Sequence, residues 1–319
     1  MAQIKIPDAL KADMPQSAWG KLLAATPVIM TVIATLLAGL ASSEMTRAQY
    51  DRSLAAQQQN KASDQWGFFQ AKRLRGAFQA STLDLLQQIT AVPPLDTKSL
   101  GTAARNAGLA PEAASALSDM LDSAAGRQAL GALQSGELPV APPAVALDAD
   151  LKAAIAAIQS SRPETEIAAL AAKVKPEGIV AALAAAADEG SKFDAAVKPI
   201  NTLVDRLNET IVRAAGLGPE RAAFAAARLR FAAARYEAEA GLNQTVGYLY
   251  ELQVRQSNVS AERHHARSER FFYGMLGAQA AVIIATFAMA SRQRNLLWSL
   301  AAMAGLVAVA MAIYVYFCT

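Results

Sequence analysis

At 319 residues, 53% hydrophobic but only 6% aromatic, with a mean hydropathy of +0.20, the chain is more apolar than a typical soluble globular protein yet poor in ring side chains. Two histidines and a single cysteine exclude a disulfide framework and leave almost no material for a metal centre or thiol catalysis. A formal net charge of +3, with no block of five or more basic residues, is too mild for a nucleic-acid partner.

Residues 1–21 form a short N-terminal tail carrying Lys5, Lys11 and Lys21. From Leu22 to Ala41 the run LLAATPVIMTVIATLLAGLA holds no charge. About twenty helical residues at about 1.5 Å each cross a hydrocarbon core of about 30 Å, so 22–41 is expected to be a first transmembrane helix. Small residues at Gly39 and Ala41 would also suit a cleaved leader, but the apolar run is longer than the 7–15 residues of a leader's core.

Residues 42–90 contain no proline and are rich in Gln, Ala, Leu, Lys and Arg. These residues favour helix, so the span is expected to continue as an outgoing stalk helix. Within it lies ASDQWGFFQAKRLRGAF, where Trp66, Phe68 and Phe69 interrupt a polar stretch. Residues 91–218 then form an Ala-rich insert, or head, holding most of the prolines. Pro111-Glu112, Pro163-Glu164 and Pro176-Glu177 each read as the first turn of a helix, and SGELPVAPPAVALD as an extended linker. This predicts a set of short helices.

A returning stalk helix is expected over 219–270, opened by Pro219 and Glu220. It runs into a second span, 271–290, a short basic loop at 291–295, and a third span, 296–317. Trp19, Phe271, Phe272, Tyr273, Trp298, Tyr314 and Tyr316 cluster near the span ends, where amphipathic rings prefer the headgroup level. No charged residue or histidine lies inside a span, which removes the usual proton relays and gating charges and weighs against a transporter. The spacings Ala34 with Ala38, Gly277 with Ala281 and Ala301 with Gly305 would allow close helix approach.

If the stalk helices pair antiparallel from membrane edges near Ala41 and Phe271, facing residues have numbers summing to about 312. Trp66 then falls opposite Val246, so WGFF meets the stretch containing Val246, Tyr248, Leu249 and Tyr250. In this register Lys61 faces Glu251, Arg73 faces Glu239, Arg75 faces Glu237 and Asp84 faces Arg228, and the Lys61 and Arg75 pairs, two heptads apart, would flank a single seam. Successive residues turn about 100°, so one partner helix cannot cover Trp66, Phe68 and Phe69 together. Either helices of the insert fold back over the rings, or a second copy of the chain covers them.

The stretch Ala62 to Lys72, with its Ser63-Asp64-Gln65-Trp66 core, and the hydrophobic hairpin broken by Arg292 and Arg294 ahead of Trp298 resemble an uncharacterised bacterial membrane-protein family known as domain of unknown function 4337. The resemblance covers about residues 22–90 and 231–317. It implies one span, a helical region and a closing hairpin, and it implies no activity. The chain departs from the family in its long Ala-rich insert, and Phe69 stands where tyrosine is expected.

His264 and His265 are adjacent and point about 100° apart on a helix, so they do not form a metal-binding pair. No catalytic pairing, phosphate loop, metal or cofactor is expected. Arg263, Arg267 and Arg270 at the head of the second span would suit lipid phosphate. Basic residues in the tail and the tight loop predict a cytoplasmic N-terminus with residues 42–270 outside, although Arg263, Arg267 and Arg270 argue the other way.

The expectation is thus an all-α membrane protein of a bacterial inner membrane: three transmembrane helices, a long antiparallel, coiled-coil-like stalk and an Ala-rich helical head. Its expected role is a scaffold that contacts the bilayer, self-associates as a homo-oligomer or binds a protein partner through the head, and is not an enzyme. The alternatives are a sensor or transducer, an accessory subunit of a membrane complex, or an oligomeric channel or transport subunit.

Overall fold

The computed structural model describes residues 18–96, 98–99, 102, 115, 118–119, 121–213, 218–291 and 294–318. Lys5, Lys11, the helix start at Pro111-Glu112 and Arg292 lie outside the described residues. Seven helices are described: α1 (Ala18–Ile89), α2 (Ala124–Ser135), α3 (Ala149–Gln159), α4 (Glu164–Ala171), α5 (Pro176–Arg213), α6 (Gly218–Ala290) and α7 (Arg294–Cys318). Strands are absent among the described residues, and the fold is all-α.

Three helices, α1, α6 and α7, are long and apolar enough to cross a membrane. In α1 the first apolar run continues without a break into the polar stretch, because nothing after it stops a helix. Pro27 removes a backbone donor within the run, and Thr31 turns its hydroxyl back to the Pro27 carbonyl at 2.8 Å. The chain divides into two compact units, Met1–Ala55 with Ser257–Thr319, and Ala56–Gln256.

The first unit is a bundle of apolar segments from α1, α6 and α7. Its core is small-residue rich: Ala34, Leu37, Ala41, Phe271, Ala278, Ala308 and Val315 are buried together. Ala281 and Ala301 are also fully buried, and a side chain added at Gly277 would lie 3.6 Å from the Cβ of Ala308. Close approach here replaces large side chains, as expected where lipid gives helices no hydrophobic drive to associate. Outward-facing residues such as Leu36, Ile283, Phe287 and Leu306 are left exposed. At one end of the bundle the Trp298 indole N–H donates to the Thr26 hydroxyl at 3.2 Å.

The second unit holds the rest of α1 and α6 with the whole insert. Two hydrophobic cores form within it. In one, Leu130 and Leu133 of α2 meet Phe193, Val197, Ile200, Leu203 and Leu207 of α5 and Phe224 and Phe231 of α6. In the other, Leu151 and Ile155 of α3, Ala171 of α4 and Ile179 of α5 close over Leu249 and Leu252 of α6.

The insert is not only short helices, as its proline spacing predicts. α5 runs for 38 residues with Pro199 inside it. Its apolar positions at 193, 197, 200, 203, 204 and 207 hold one helical face in the core, and that packing outweighs one missing backbone hydrogen bond.

Local caps fix the shorter elements. Ser123 accepts from the Gly126 amide at the start of α2, and Asp148 accepts from the Leu151 amide at 2.7 Å at the start of α3. α2 ends at Gly136, whose left-handed φ of 71° glycine adopts without penalty. The Gln256 side-chain amide reaches from α6 to the Ala171 and Val174 carbonyls at 3.1 and 2.7 Å, tying the end of α4 to the long helix.

Candidate functional site

The aromatic stretch of α1 is built into the second unit by α6. The Trp66 ring stands edge-on to Phe69 at 5.5 Å and to Tyr248 at 4.9 Å, with interplanar angles of 84° and 85°. These are the T-shaped arrangements that ring quadrupoles favour. Its indole N–H donates to the Glu251 carboxylate at 2.8 Å, a partly buried, charge-assisted bond between residues 185 positions apart.

Gly247 makes the approach possible. A Cβ there would lie 3.2 Å from the indole, inside normal contact distance. Further along, a Cβ on Gly76 would sit 3.4 Å from the Cβ of Tyr236, a pair whose numbers sum to 312. The two helices therefore run antiparallel here.

The structure redistributes the charges expected along this seam. Glu239 pairs with Lys72 and, at 3.4 Å, with Arg235 of its own helix, rather than with Arg73. Lys72 is one residue and about 100° away from Arg73, while Arg73 lies over the Phe69 ring at 5.8 Å. Glu251 accepts the indole instead of Lys61, whose ammonium lies over Tyr250 at 5.7 Å. Among the described residues, no ion pair closes between Arg75 and Glu237 or between Asp84 and Arg228. Matching numbers across a seam does not make side chains point into it.

Coverage of the three rings is unequal as well. Trp66 and Phe69 are half-buried, while Phe68 is 55% exposed. The insert does fold back, but onto α6: Leu249 is fully buried beneath α3 and α5, and Tyr248 packs at the edge of that core. Val246 is half-buried.

The sequence carried a further signal at this seam. Ala34, Ala41, Ala48, Ala55 and Ala62 of α1 stand one heptad apart, and every one is buried. Phe69 and buried Gly76 continue the same spacing. A small residue at every seventh position lets a second helix come close along one edge. Between Ala34 and Ala62 only Ala38 and Ala56 fall off this spacing, so the period stands in the sequence itself.

In the first unit, the His264 imidazole Nδ1 lies 2.6 Å from the Glu44 carboxylate, with both side chains largely buried. Buried Ser268 donates its hydroxyl to the Ala41 carbonyl at 2.7 Å. His265 faces Glu269 at 3.7 Å. The two histidines thus serve different partners.

Arg263 is exposed, Arg267 half-buried, and the Arg270 guanidinium lies 5.6 Å from the Tyr314 ring centre of α7. Among the described residues, no group of three or more histidine, cysteine or acidic side chains is placed to hold a metal.

What this arrangement can do is hold a long helical pair in a fixed register and present its outer faces. No curated protein and no solved structure matches the chain. The half of the family resemblance at residues 231–317 lies outside the region matched by a family model. The first apolar run, the aromatic stretch and the seam alanines all fall inside that region, residues 19–119, which is similar to the family described as Domain of unknown function (DUF4337).

Proposed function

We propose that the chain is a membrane-anchored helical scaffold that works by assembly, associating with further copies of itself through the paired helices and offering its helical head to a protein partner. The observation that carries this reading is the cross-helix lock of Trp66 on Glu251 and Tyr248, which fixes one register over a long, two-helix surface. A rigid helical pair of this kind suits presentation of a surface. The wild-type chain in nanodiscs should have a mass of at least two copies by light scattering. A strictly single-copy particle at cellular surface density would refute assembly.

In this reading the protein resides in a bacterial inner membrane, with the paired apolar segments in the bilayer. The basic tail and tight loop lie in the cytoplasm, residues 42–270 lie outside it, and Arg263, Arg267 and Arg270 meet lipid phosphate. In a Cys318→Ser background, Ser135→Cys should react with a membrane-impermeant thiol reagent on intact cells and Gln293→Cys should not. The reverse pattern would invert the topology.

A further inference from the structure

The two long helices of the second unit are covered unequally. Among the described residues, α6 leaves no large hydrophobic side chain exposed between 220 and 256, because α1 takes one side of it and the insert takes the other. α1 is different. Leu74, Phe78, Leu85 and Ile89 are 73, 67, 57 and 71% exposed. At about 100° per residue these four fall within about 60° of one another, on the side of α1 opposite the seam residues Ala62, Phe69 and Gly76.

The spacing of that face says what kind of surface fits it. Ala71, Leu74, Phe78, Ser81 and Leu85 alternate steps of three and four residues, the pattern of a seam between two helices. We propose that this outer face of α1, centred on Leu74 and Phe78, docks against the same face of a second copy of the chain. The inference rests on the assembly reading above and names its surface.

Two arguments favour a second copy over an unrelated protein. The flanking positions carry Arg75 on one edge and Asp84 on the other, among Gln70, Ala77 and Thr82. In heptad geometry, parallel pairing sets Arg75 against Gln70 and Asp84 against Ile89, whereas antiparallel pairing sets Arg75 against Thr82 and Asp84 against Ala77. Neither sense brings like charges together.

The second argument is size. The stripe from Ala71 to Leu85 is about 21 Å long by the helix rise, and one helix face of that length buries less than the roughly 800 Å² per partner of a stable soluble complex. Such a seam is too small for tight capture from solution. Two chains confined to one bilayer gain the missing affinity from effective concentration.

The test uses the full chain in nanodiscs and in cell membranes. Leu74→Glu with Phe78→Glu places charge on side chains that are already exposed, so helicity should be unchanged while self-association weakens at least tenfold and single-copy particles dominate. In a Cys318→Ser background, Phe78→Cys should be joined between chains by a short thiol-to-thiol cross-linker, and exposed Ala80→Cys, on the other side of α1, should not.

If the wild-type protein assembles but the double glutamate variant assembles equally well, the α1 face is the wrong surface and the assembly reading stands. Cross-linking at Ala80 in preference to Phe78 leads to the same conclusion. If the wild-type protein is itself a single copy, the assembly reading falls and this surface with it.

Discussion

Trp66→Ala is expected to destabilise the second unit by about 3 kcal/mol, the lower end of the range for removing a large ring from a packed site, because the indole is half-buried. Three losses combine. The edge-on contacts to Phe69 and Tyr248 disappear, a cavity opens beside Gly247, and the partly buried Glu251 carboxylate loses its indole donor.

Trp66→Phe separates these contributions. It keeps most of the packing and removes the hydrogen bond, so it should cost about 1.5–2 kcal/mol, as for bonds to charged groups. Phe68→Ala, in the same stretch but 55% exposed, should stay within about 0.5 kcal/mol. Denaturant melts in mild detergent, followed by tryptophan-independent far-ultraviolet dichroism, measure all three. Equal losses for Phe68→Ala and Trp66→Ala would contradict the packing described here.

Much of this architecture is legible in residue order. Apolar runs of about twenty residues mark helices able to span a membrane whatever they pack against, since length and composition alone decide it. The absence of proline after Ala41 in α1 and after Pro219 in α6 similarly predicts the continuation of both helices. Placing the aromatic stretch of α1 beside that of α6 needs only an antiparallel return from a common starting level, and Trp66 does lie against Gly247 and Tyr248.

The side-chain pairings are less legible for a geometric reason. A shift of one residue along a helix moves a side chain by about 1.5 Å but turns it by about 100°. Numbering can therefore bring Arg73 to the level of Glu239 while Lys72 is the residue that points across. The fate of the three rings depended on the insert, which closes its cores over α6 and leaves Phe68 and the outer face of α1 bare. That choice is made by contacts between segments far apart in sequence. The alanine heptad from Ala34 to Ala62 was present to be read, with only Ala38 and Ala56 off its spacing, and every member of it is buried.

The antiparallel register of α1 and α6 is tested most directly by a disulfide where a Cβ at Gly76 would meet the Cβ of Tyr236. The Cβ positions of residues 76 and 236 lie 3.4 Å apart, close to the range of about 3.5–4.5 Å that a disulfide requires. In a Cys318→Ser background, Gly76→Cys with Tyr236→Cys should oxidise readily within one chain, shown by a faster-migrating species under non-reducing conditions that returns to its original position on reduction. Moving one partner by seven residues, to Asn243→Cys, displaces it by about 10 Å along the helix and should abolish the link. Equal oxidation of the matched and shifted pairs, or a matched pair that links only between chains, would contradict the register and, with it, the packing of Trp66 against Tyr248 and Glu251.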